Sequence, residues 1–191
     1  MTQSTPITSD AKQQDFRQKS WFVMRDLKRP NAKLPAYIQL EQEGIEVFTP
    51  LKWHIATVGG KQIRRRIPII SDLLFTHATR GELDPIIART STLQYRYVKG
   101  GAYCQPMTVR DVDMQRFMAA IRTDETPRYF LPEEITPSMF GRRIRIIGGP
   151  LDGQEANLLS MRGNRKKRLL IELPGILTVG VEVNPEFIQL I

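Results

Sequence analysis

The chain has 191 residues, 41% apolar and 25% charged, enough to bury a core in one large or two small domains and too apolar for overall disorder. Lys and Arg outnumber Asp and Glu by 28 to 20, a net charge of +8 that points to a polyanionic partner, nucleic acid ahead of an anionic membrane. A single cysteine, Cys104, excludes an intrachain disulfide framework and suits a reducing compartment, and no apolar run approaches the ~18 residues that span a bilayer.

In chain order, residues 1–19 open with MTQSTPITSDAKQQDF, a polar stretch without the apolar core of a signal peptide, and read as a flexible tail of a cytoplasmic protein. Trp21, Phe22, Val23, Met24 and Arg25 form an aromatic and β-branched run that predicts a strand. Lys28-Arg29-Pro30-Asn31 is a basic turn. Leu34, Tyr37 and Ile38 share a helical face and Gly44 supplies a stop, so a helix is expected over 32–43 with Pro35 in its first turn. Residues 45–50 and 51–58 are β-rich. Gly59-Gly60 turns the chain into a return strand over 62–70 that carries Arg64-Arg65-Arg66. LLFTHA, residues 73–78, is the most strand-like piece, and a short helix is expected from near Glu82. Gly100-Gly101 marks a hairpin between 93–99 and 102–107. Thr108, with Asp111 three residues on, loosely matches a capping box, ahead of Met114, Phe117, Met118 and Ile121 at helical spacing.

Residues 123–137, TDETPRYFLPEEITP, hold three prolines and four acids against one arginine. This shift to acidic, proline-rich composition marks a linker between a domain over 20–122 and another over 138–191. The second domain shows alternating runs and glycine turns without a helical period, which predicts a small closed barrel. Its opening strand alternates Arg143, Ile144, Arg145 and Ile146, and Gly148-Gly149-Pro150 and Asp152-Gly153 offer the backbone freedom for a tight reversal. Arg162-Gly163-Asn164-Arg165-Lys166-Lys167-Arg168 reads as a basic hairpin tip.

The stretch GRRIRIIGGPLDGQEANL, residues 141–158, resembles a KOW motif, although Ala156 stands where that family usually carries a second-strand glycine. Upstream, WFVMRDLKR, VFTPLKW, the Gly-Gly hairpin and IPIISDLLFTHA look like the amino-terminal domain of NusG-type elongation factors. The resemblance covers residues 20–191. It implies an α+β NGN-like domain, an antiparallel sheet with helices, followed by an all-β SH3-like KOW barrel. Where typical members have an aromatic-Pro-Gly-Tyr stretch, this chain reads Ile70-Ser71-Asp72-Leu73, and so it looks like a specialised paralogue, similar to RfaH or the UpxY-type antiterminators.

The resemblance implies a non-enzymatic elongation or antitermination factor whose first domain docks on RNA polymerase through Ile70, Leu73, Phe75 and Tyr95, a desolvated apolar centre with a polar rim. The KOW barrel would engage a ribosomal protein or Rho. Lys28 and Arg29, Arg64 to Arg66, and Arg165, Lys166, Lys167 and Arg168 are the candidate contacts to non-template DNA or RNA, because loop-tip cations reach phosphates. The alternative is a ribosome- or RNA-binding KOW protein without a polymerase role. Catalysis finds little support: His54 and His77 stand at no metal-ligand spacing with Cys104. Gly59-Gly60-Lys61 lacks the rest of a P-loop, and Cys104 reads as buried and inert. No cofactor, metal or membrane is expected.

Overall fold

The computed structural model describes residues 16–29, 32–160 and 166–191. The expected tail up to residue 15, Pro30 and Asn31 of the basic turn, and 161–165 at the hairpin tip, Arg165 included, lie outside the described residues. The chain divides into two compact units, Met1–Val109 and Arg110–Ile191.

The first unit runs β1 (Ser20–Asp26), α1 (Ala36–Gln42), β2 (Glu46–Phe48), β3 (Leu51–Val58), β4 (Lys61–Pro68), β5 (Leu73–Ala78), α2 (Arg80–Arg89), β6 (Leu93–Tyr95) and β7 (Thr108–Val109). β2, β5, β1 and β6 pair in that order, all antiparallel, and β7 also pairs with β1. Side chains alternate across the sheet. Phe22, Met24 and Leu74 on one face meet Ala36 and Leu40 of α1 and Leu83 and Ile86 of α2 in a continuous apolar core. β3 and β4 form a separate two-stranded ribbon closed by Gly59 and Gly60 at φ 56° and 77°, the doubly positive φ of a tight hairpin turn.

α1 is shorter than the expected 32–43, and its beginning is fixed from outside. Pro35 takes the cap position in an extended conformation without a capping side chain. The buried Asp26 carboxylate serves instead, accepting from the Ala36 N–H at 2.7 Å and the Lys28 N–H at 2.9 Å. The expected strand pair around Gly100-Gly101 shrinks to β6 and one bridge between Tyr97 and Pro106. Thr108 belongs to β7 rather than to a helix cap. Arg110 stands at that cap and pairs with Asp113 at 2.6 Å. Cys104 is exposed, not buried, at a positive φ of 52° in this turn.

The second unit holds α3 (Asp111–Thr123), β8 (Arg128–Phe130), β9 (Phe140–Ile146), β10 (Glu155–Leu159), β11 (Arg168–Leu173), β12 (Leu177–Glu182) and β13 (Ile188–Leu190). Its antiparallel ladder runs β13-β9-β10-β11-β12-β8 around Ile144, Ile146, Leu169, Leu173, Val179 and Val181. α3 buries Met114, Phe117 and Ala120 and packs on β11 and β12, so the division between units falls before this helix rather than after residue 122. Nor is 123–137 a free spacer. β8 pairs along β12, and two of its prolines open single 3₁₀ turns at Pro132–Glu134 and Pro137–Met139.

The Gly-Gly-Pro stretch resolves into backbone mechanics. Gly148, Gly149 and Gly153 lie at φ 86°, 71° and 74°, a region costly for residues with a Cβ. The Gly148 N–H donates to the Asp152 carboxylate at 2.5 Å, and the Gly153 N–H returns to the Ile146 carbonyl at 2.8 Å. The turn thereby lines β10 up against β9.

Candidate functional site

The first unit carries a cleft of about 330 Å³ between the loop after β1, the beginning of α1, the β3–β4 ribbon and the start of β5. Lys28, Arg29, Lys52 and Arg65 line it, with His54 and Tyr37, over a floor that includes Ile67, Leu73 and Leu74. The one acid among the described residues of the lining, Asp26, is committed to backbone N–H groups. Lys28 is steadied by the Leu34 carbonyl and Gln39, both at 2.9 Å. Burial, then the nearby Glu41 charge, raises the Tyr37 pKa, so its hydroxyl remains a donor at neutral pH. A cationic rim over an apolar floor suits a polyanion with planar or apolar groups.

The cleft thus brings together Lys28, Arg29, Arg65 and Leu73. Sequence reading missed Lys52, His54 and Tyr37. The period-2 alternation of β3, which sets Lys52 and His54 on the face opposite Trp53, was the signal available for two of them. Arg64 and Arg66 project from the other face of the ribbon, where both lie over the Trp53 ring.

The four expected polymerase contacts do not share a face. Phe75 stands opposite Val23, and Tyr95 opposite Met24. Because Val23 and Met24 point to opposite sides of β1, Tyr95 lies on the helix-covered face and Phe75 on the other. Tyr95 is buried in the core and donates to Asp84 at 2.8 Å. Burial, reinforced by that bond, pushes its pKa far above the ordinary phenol value. Phe75 is 0% exposed, Leu73 is buried, and Ile70 is half-buried. Beside Ile70, Asp72 pairs with Arg25 at 3.3 Å and Arg96 at 3.2 Å.

In the second unit, Lys166 pairs with Glu182 at 2.7 Å and Lys167 is exposed. Arg168 must be removed from the nucleic-acid set. It is buried and donates to Asp124 at 2.9 Å and to the Gly180 carbonyl at 3.1 Å, which leaves it out of reach of a phosphate.

A family model described as "Transcription termination factor nusG" matches residues 19–118, from the start of the β1 region into α3. The chain belongs to the NusG family. NusG proteins are non-enzymatic transcription factors, and this chain is a factor of that elongation and antitermination class. No curated protein matches the sequence. Among solved structures the chain is similar to NusG of Thermotoga maritima, described as "Domain interaction in Thermotoga maritima NusG", at 16% identity over 91% of this chain and 98% of that one, with a TM-score of 0.45. Among the described residues of this NusG-family chain, no three His, Cys, Asp or Glu are grouped to hold a metal ion. No helix among them is long and apolar enough to cross a membrane.

Proposed function

We propose that this NusG-family chain binds RNA polymerase through its first unit and a second partner, such as a ribosomal protein or Rho, through its KOW-like ladder. The family match over 19–118 carries this reading. Within the first unit, Ile70 is the expected contact that remains half-buried and so retains surface to offer a partner. The cationic cleft next to it serves as the nucleic-acid contact, through Lys28, Arg29, Lys52 and Arg65. Binding that favours the elongating conformation of the polymerase would raise its population. The Arg25–Asp72–Arg96 cluster, formed where typical members carry Pro-Gly, supports a specialised paralogue of the RfaH or UpxY kind.

The test is capture of bacterial core RNA polymerase by the full chain and by Ile70→Asp. Ile70→Asp is preferable to a change at the fully buried Phe75, which would report on folding. Wild type should retain polymerase, and Ile70→Asp, with an unchanged circular dichroism spectrum, should lose at least about tenfold, as expected for a central apolar contact. Salt-sensitive RNA binding without any polymerase capture would replace this reading by that of a ribosome- or RNA-binding KOW protein.

A further inference from the structure

The ladder of the second unit ends at β8, which lies along the outer edge of β12. β11 and β12 pair over six residues, but β8 pairs with β12 over three: Phe130 with Thr178, Tyr129 with Val179 and Arg128 with Gly180. Pro127 precedes this short strand and Pro132 follows soon after it, and a proline has no N–H with which to prolong a ladder. The Phe130 ring sits over the one position of β12 that has no side chain, 3.3 Å from where a Gly180 Cβ would stand. The Tyr129 hydroxyl is buried, with no hydrogen-bond partner among the described residues. Upstream of β8 the chain is tied down, because Arg168 donates to the Asp124 carboxylate and to the Thr126 carbonyl.

These features describe a cover that is fastened at one end and weakly held at the other. A buried hydroxyl without a partner costs free energy that water returns once it is exposed, and that favours lifting Tyr129 out. The edge beneath is suited to pairing. Leu177, Thr178, Val179, Gly180 and Val181 are all buried and uncharged, and an uncovered strand edge with no charge on it is a template for another strand. Asp124 takes the Glu182 N–H, so the edge that β8 can uncover ends at Val181. Two copies of such a strand, run antiparallel about a two-fold axis through Val179, set Thr178 against Gly180 and Leu177 against Val181. No like charges meet in that arrangement, and one edge supplies both halves of the contact.

We propose that β8 is a detachable cover, and that the β12 edge beneath it is a pairing surface for a second copy of this chain.

The test is sedimentation equilibrium of the full chain, with dithiothreitol throughout so that no disulfide contributes. Tyr129→Pro removes an N–H from the middle of β8, and Phe130→Ala clears the ring from Gly180 while leaving the backbone unchanged. Each variant is read only if its circular dichroism spectrum matches wild type, and Phe130→Ala decides the matter if Tyr129→Pro does not fold. Self-association should be at least about tenfold tighter in the variant than in wild type, because the closed state has lost a packed aromatic or a ladder bond. A synthetic peptide of residues 126–132, TPRYFLP, supplies the cover from outside. In excess it should return the variant dimer to monomer, and the same residues in scrambled order should not. The proposal is overturned by equal self-association in wild type and a folded variant, or by a dimer that the β8 peptide leaves intact.

Discussion

Asp124 and Arg168 come from segments 44 residues apart and meet with both side chains 5% exposed. Burial opposes ionisation of Asp124, but the backbone N–H groups of Glu182 and Thr126 and the Arg168 guanidinium outweigh it and hold the carboxyl below the usual range. A folded-state pKa below the unfolded one contributes stability that is complete above the unfolded value of about 4. That contribution is lost as pH falls through the depressed folded value. Removing one partner from such a pair leaves an uncompensated buried charge, so Asp124→Asn should cost about 3 kcal/mol at pH 7. Urea titrations should show the gap from wild type narrowing steadily below pH 4. The same pair explains why Arg168 misled in the sequence. In Arg165-Lys166-Lys167-Arg168 its charge looks like its neighbours' charges, but β11 is buried from its first residue, Arg168, through Ile171, and its carboxylate lies in what reads as a linker.

α2 is held at its start by a reciprocal pair: the Thr79 hydroxyl accepts from the Glu82 N–H at 3.2 Å, and the Glu82 carboxylate accepts from the Thr79 N–H at 2.7 Å. Thr79→Ala should therefore cost about 1 kcal/mol, measured as a lowered urea midpoint. The strands of this unit were readable because apolar alternation and paired glycines are local signals, as in β1, β5 and the Gly59-Gly60 turn. α1 was overdrawn at its beginning because its capping carboxylate, Asp26, lies ten residues upstream of Ala36. The linker was misjudged for a related reason. Its acids and prolines suggest a solvated spacer, yet Asp124 is neutralised by a distant arginine and β8 finds its hydrogen bonds on β12. In the cleft, Lys28, Arg29 and Arg65 stood out as runs of charge. Lys52, His54 and Tyr37 are isolated residues that only the register of β3 and the winding of α1 assemble.

For the molecule as a whole, not every one of the 28 Lys and Arg side chains is open to a polyanion, since Arg168 is internal and Arg25, Arg96 and Lys166 face carboxylates. Both tryptophans belong to the first unit, so their emission reports on that unit. The exposed position of Cys104 has a consequence for how whole chains meet. A lone surface thiol has no counterpart within its own chain, so an oxidant can join it only to a second copy or to a small thiol. Air-oxidised protein should therefore run as a covalent dimer on a non-reducing gel, collapse to one band with dithiothreitol, and never form that dimer as Cys104→Ser.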